Sequence, residues 1–199
     1  MTNATGFARR AVLADRLRTS GLATDAALVA GGALFTAAMA QLQVPMWPVP
    51  ITGQTLAVVL VGATLGARRG MLSLLVYAVA GLAGAPFFAE FSGGLAALTS
   101  PSFGYVIGFV PAAGLVGWLA RRNWDRRLGR ATVAMLLATA VPFVTGLPWL
   151  AVVLGQLGAP NDLQSVLAAG LYPFIVGGVA KALIAAGVLP LAWKLVGRR

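Results

Sequence analysis

The sequence predicts an all-α polytopic membrane protein with six transmembrane helices and both termini cytoplasmic. Three observations carry that prediction. First, 59% of the 199 residues are hydrophobic and only 10% are charged, against about 45–50% and about 25% in soluble domains. Such a chain cannot cover a soluble enzyme domain with polar surface, and it is too apolar to be disordered. Second, the cations fall in four clusters separated by long stretches with none. Third, at about 30 residues per crossing and its loop, roughly six spans fit this length.

The spans follow in order from those clusters. Met1 to Ser20 carries Arg9, Arg10, Arg16 and Arg18 and is suited to an amphipathic helix on the membrane surface. It has no short apolar core followed by a small-residue site, so a cleaved signal peptide is not expected. Asp25 to Ala67 lacks Lys and Arg and is broken by Val44-Pro-Met-Trp-Pro-Val-Pro50, which gives spans near 25–43 and 51–67. Arg68 and Arg69 mark a turn. The next cation-free stretch is broken between Pro86 and Pro101, giving spans near 70–86 and 102–120. After Arg121 to Arg130, a break around Gly158-Ala-Pro-Asn-Asp162 separates spans near 131–155 and 172–196.

Orientation comes from charge. Of the 15 Lys and Arg residues, all but Lys181 lie at the termini, the 68–69 turn or the 121–130 loop. The loops near 45, 92 and 160 hold none, so those loops face outside. Leu56–Ala67 and Leu72–Ala85 are the shortest apolar runs, and their outer ends meet Pro- and Gly-rich loops. Irregular backbone at membrane depth is tolerated where it is buried in protein or lines a cavity. Structured loops over an outer cavity are expected, with ordinary tight turns at thin spans as the alternative.

Chemistry is narrowed by what is missing. The chain has no Cys and no His, and its five acids are Asp15, Asp25, Glu90, Asp125 and Asp162. Thiolate and imidazole chemistry is excluded, and no paired carboxylates occur at helical spacing, so neither an enzyme nor a metal site is expected. No G-x-x-x-x-G-K-[ST] motif is present, which excludes P-loop ATP hydrolysis. No ring of polar residues marks a channel. The net charge of +10 is read as attraction to anionic lipid of the bilayer, with no nucleic acid partner.

A few polar residues stand out. Lys181 is the one cation inside a predicted span, about 12 Å below Pro173 at 1.5 Å per residue. It either faces a wet cavity, where a ligand carboxylate or carbonyl would meet it, or snorkels to the interface. Ser92-Gly93-Gly94 offers close backbone approach to a ligand, or a plain glycine turn. Tyr105 presents a ring and a hydroxyl, to a ligand or to the membrane interface. Gln54 has both a donor and an acceptor, for an amide-like ligand edge or for a helix end. Ala33 and Ala37 fit a small-xxx-small helix contact.

Four runs together resemble a known family. These are Val49-Pro-Ile-Thr-Gly-Gln-Thr-Leu56, Gly81-Leu-Ala-Gly-Ala-Pro-Phe-Phe-Ala89, Ser92-Gly-Gly94 with Pro101-Ser-Phe-Gly-Tyr105, and Pro173-Phe-Ile-Val-Gly-Gly-Val-Ala-Lys181. In order and spacing, over roughly residues 25–196, they resemble BioY, the biotin-specific S component of energy-coupling factor (ECF) transporters. The resemblance implies a cytoplasmic N-terminal segment, 1–24, and a six-helix membrane substrate-binding domain, 25–199. It implies a multi-pass protein of the bacterial inner membrane that binds biotin from the outer face, with no cofactor. A transmembrane coupling subunit and two ATPase subunits would then drive delivery inward.

The same resemblance implies a site. Its binding residues fall on Lys181 and Ser92; beside them Tyr105, Gln54, Gly93 and Gly94 are expected to supply polar contacts, and Trp47, Phe87 and Phe88 an apolar wall. Ala33 and Ala37 would meet the coupling subunit. The chain departs from the family pattern at Gly178, where an acid precedes the lysine by three, and at Val106, which is cationic in some members. Glu90 is the acid that would replace the first. The alternative ligand is lipoate or another carboxylated cofactor.

Overall fold

A computed structural model describes residues 11–16 and 21–196. Most of the predicted surface helix over Met1–Ser20 lies outside the described residues; within it, Leu13–Arg16 forms a 3-10 turn. Seven helices follow: α1 Leu22–Ala40, α2 Gln54–Leu65, α3 Ala67–Leu82, α4 Phe103–Arg121, α5 Leu128–Gln156, α6 Leu163–Gly170 and α7 Tyr172–Val196. Between α1 and α2 sits a small antiparallel pair, β1 Gln43–Val44 and β2 Ile51–Thr52, in register Gln43 to Thr52 and Val44 to Ile51.

The order of long helices matches the predicted spans, with shifted ends. The largest difference is α6, an extra helix where one irregular outer loop was expected. Asp162 caps it, accepting from the N–H groups of Gln164 and Ser165, the usual service of an Asp at a helix start. Helices α1, α4 and α5, and the run Leu163–Val196, are long and apolar enough to cross a membrane. By contrast α2 has 12 residues, about 18 Å at 1.5 Å per residue.

Helix α4 is the hub and packs on α2, α3 and α5. Glycine allows this closeness. A Cβ on Gly62 of α2 would strike the backbone of Ala113 in α4, and one on Gly117 would strike the turn at Gly66 and Ala67. Where α1 crosses α3, Gly32 leaves room for the Ser73 hydroxyl.

One end of the bundle gathers the basic loops. Arg69 bridges Asp15 at 2.8 Å and Asp25 at 2.7 Å, tying the 3-10 turn to the starts of α1 and α3. Val12, fully buried, plugs a core of small residues from α2, α4, α5 and α7. Beside it, Trp193 of α7 donates its indole N–H to Asp125 at 2.5 Å, with the Arg126 guanidinium 4.1 Å from the ring centre. Asp125 is fully buried, and its second carboxylate oxygen has no partner among the described residues.

Burial pushes the Asp125 carboxyl above its ordinary value, against the opposing pull of Trp193 and Arg126. The folded chain therefore holds this proton more tightly than the unfolded chain. That stabilisation is full below the unfolded value and lost as pH rises through the folded one. Melting curves of the detergent-purified protein should show it as a declining acid limb. Asp125→Asn should flatten that limb; an unchanged limb would show that another group titrates there.

Candidate functional site

Because α2 is short, the end of the bundle away from the basic loops is closed by the hairpin and the segment between α3 and α4. Beneath them is a cavity of ≈ 450 Å³, within the range of about 300–1,000 Å³ for small-molecule sites. Its lining includes Thr52, Gln54, Ser92, Gly93, Tyr105 and Lys181. The two charged groups facing it are Lys181 from α7 and Glu90 from the α3–α4 segment.

Lys181 is half-buried. Its ammonium donates to the Thr52 carbonyl at 2.5 Å and to the Thr55 hydroxyl at 3.4 Å. No carboxylate lies within ion-pair distance of it among the described residues. An ammonium in an apolar bundle needs counter-charge or several oxygens; here one carbonyl and one distant hydroxyl supply it from protein. The side chain is turned inward onto the cavity, not outward along the lipid face.

Gln54 and Tyr105 reach the cavity with their polar atoms already engaged. The Gln54 amide donates to the Tyr77 hydroxyl at 2.5 Å and accepts from the Thr52 hydroxyl at 2.7 Å. The Tyr105 hydroxyl donates to the Gly170 carbonyl at 2.8 Å, which satisfies the end of α6. What Tyr105 shows the cavity is its ring, packed on Phe174 and edge-on to Phe143. Ser92 turns its hydroxyl to the Ala89 carbonyl at 2.6 Å.

The glycines divide. Gly93 lines the cavity where a Cβ would overlap the Ala85 carbonyl. Gly94 does not line it; at φ 87° it donates its N–H to the Gly81 carbonyl at 2.7 Å and sets the turn. Gly81 in turn makes room for Phe88, whose ring occupies the space a Cβ there would take.

Two predicted wall residues stand elsewhere. Trp47 is 72% exposed on the hairpin loop, and Phe87 stacks on Tyr77 with ring centres 6.3 Å apart, behind the cavity. Of the expected wall residues Phe88 lines the cavity, joined there by Phe103, Phe109, Phe143 and Phe174. Phe87, Tyr77, Phe88, Phe103 and Trp149 form a continuous run of ring contacts. Nor do Ala33 and Ala37 offer a free face. They are 1% and 8% exposed within the bundle, so this chain's own core covers them. Gly178 lines a second, apolar hollow of ≈ 180 Å³ on the other side of Phe143 and Phe174.

Gln41, which the sequence reading passed over, organises the segment above the cavity. From the end of α1 its amide donates to the Phe88 carbonyl at 3.0 Å, and its oxygen accepts from the Phe91 N–H at 2.9 Å. A glutamine just beyond a helix end, ahead of a proline-rich loop, was the available signal.

Fold and site define a multi-pass helical membrane protein with a walled, solute-sized hollow at one end. The BioY family model matches residues 9–198, and the chain belongs to the BioY family. A probable biotin transporter BioY of Pyrococcus horikoshii is 36% identical over 163 residues, covering 80% of this chain and 90% of that one. A biotin transporter BioY of Rhizobium etli is 36% identical over 146 residues, covering 70% and 75%. The crystal structure of the S-component for biotin from an ECF-type ABC transporter superposes with TM-score 0.71 at 24% identity, covering 86% and 92%. That likeness shows the fold.

The Gln54–Tyr77 bond is testable. Tyr77→Phe keeps the ring stack but leaves a buried amide N–H unpaired, at a cost of about 1–3 kcal/mol. A lowered melting midpoint in detergent is expected; no change would mean that water reaches Gln54.

Proposed function

We propose that this chain captures biotin from the outer side of the membrane in the cavity beside Lys181, and passes it inward as the binding component of an ECF-type transporter. The observation that carries the reading is the Lys181 ammonium, held in an apolar bundle with no carboxylate partner among the described residues. A ligand that brings a carboxylate or a ring carbonyl supplies what the protein does not. The ≈ 450 Å³ hollow and its aromatic wall suit a compact heterocycle with an aliphatic tail. The biotin transporters among its relatives support the same ligand. The chemistry is binding and release; no covalent step is required of these residues.

The charge pattern supports six spans with both ends cytoplasmic, which puts the cavity at the outer face. ATP hydrolysis belongs to partners, a transmembrane coupling subunit and two ATPase subunits. Their contact falls on the open side of α1, where Ala23, Ala27 and Gly31 are exposed at four-residue spacing, so that another helix approaches closely. Delivery then requires that the coupled state bind biotin less tightly than the free one.

Isothermal titration of the detergent-purified chain with biotin, without ATP, should saturate. Lys181→Ala should weaken binding at least about tenfold, or ~1.4 kcal/mol. Saturation by lipoate and not by biotin would transfer the site to the other carboxylated ligand, and unaltered binding by Lys181→Ala would remove the lysine from it. Ala27→Trp should leave the titration unchanged while abolishing copurification of the coupling subunit; intact copurification would move the docking face off α1.

A further inference from the structure

The cavity lining carries two charged residues of opposite sign, Lys181 and Glu90. Glu90 is an exposed residue on the lining of the cavity, and among the described residues its carboxylate takes no hydrogen bond and no ion pair from the protein. Its backbone is unusual. Glu90 has φ 61° and Phe91 φ 53°, two successive non-glycine residues in the left-handed region. The left-handed region disfavours a residue with a Cβ, which persists there where the surroundings hold it.

The holder is visible. Gln41 reaches from the end of α1 and grips both sides of the turn, donating to the Phe88 carbonyl and accepting from the Phe91 N–H. Ser92 closes the other side, with its N–H and hydroxyl both donated to the Ala89 carbonyl and its carbonyl accepting from the Phe88 N–H. Such a turn would be relieved by glycine at position 90. The chain instead places there the one acidic residue of the cavity lining among the described residues.

We propose that Glu90 is a specificity-determining group of this cavity, accepting hydrogen bonds from N–H donors of the ligand, and that Gln41 is the positioning residue that holds it over the opening. The proposal deepens the biotin reading and rests on it. A ligand with a ureido ring has two N–H donors and one carboxylate, and the cavity offers one acceptor carboxylate and one ammonium. Gly178, without a side chain and facing the second hollow, supplies no acceptor here. Charged acceptors bind N–H donors more strongly than neutral ones, so Glu90 selects for ligands with such donors over sulfur heterocycles that lack them.

The test uses the full-length protein in detergent, titrated with biotin and with biotin methylated on its ureido nitrogens. Wild type should prefer biotin by about tenfold or more, and Glu90→Gly should reduce biotin affinity by about tenfold. In that variant the preference between the two ligands should vanish. Its melting midpoint should hold or rise, because glycine relieves the left-handed turn; a weakened but well-folded protein is the signature of a recognition role. Gln41→Leu should lower the same preference in part, through the loosened turn. Glu90→Gly binding biotin as wild type does, while Lys181→Ala is weakened, would overturn this proposal and leave the biotin reading standing. Wild type failing to bind biotin would overturn both.

Discussion

A helix of 12 residues cannot cross a hydrocarbon layer about 30 Å thick, and α2 has 12. The rest of the cavity end follows from that shortfall. Above the start of α2 the membrane-facing helices continue while their neighbour stops, so a hollow is left. Its roof is backbone that must satisfy its own polar groups, since lipid offers no hydrogen bonds. The β1–β2 pair does so by cross-strand bonding, and Lys181 by taking the Thr52 carbonyl. In the segment after α3, Gln41 and Ser92 take the free carbonyls and N–H groups. The hollow is thus polar at a few chosen points and aromatic elsewhere.

The opposite end is built on another principle. There the polar groups pair with each other: Arg69 with Asp15 and Asp25, Asp125 with Trp193. Val12 seals the small-residue core beneath them. The ion pairs among the described residues all lie at this end, whereas neither charged residue lining the cavity pairs with an opposite charge.

Much of this was legible in the sequence, for identifiable reasons. Gaps between cation clusters, with the Pro and Gly breaks inside them, located α1 to α5 and α7 because membrane topology is written in charge. The helix ends moved because Pro and Gly loops at membrane depth fold against protein and not at a fixed boundary. Helix α6 was hidden because Gly158 to Asp162 reads as a break whether or not a short helix follows. Lys181, Gln54, Ser92, Gly93 and Tyr105 line the cavity. Residue type alone did not reveal that Gln54 and Tyr105 have their hydrogen bonds committed within the protein. Trp47 and Phe87 show the other limit: an aromatic residue in a loop is apolar surface, but its direction depends on turns that one position reverses. Ala33 and Ala37 likewise fit a helix contact, and which helix they meet is settled by the rotation of α1.

The Gly81–Phe88 contact has an implication for how such a chain drifts over generations. The phenyl ring fills the volume that any larger residue at 81 would occupy, so neither site is free to vary alone. A methyl gained at one demands a smaller ring at the other, and that smaller ring would open a gap between Tyr77 and Phe103. Four positions on three separate stretches of chain are in this way bound into a single evolutionary unit. Tolerance to replacement should therefore be lowest where the wall is most purely hydrocarbon, and not at the polar groups around the cavity.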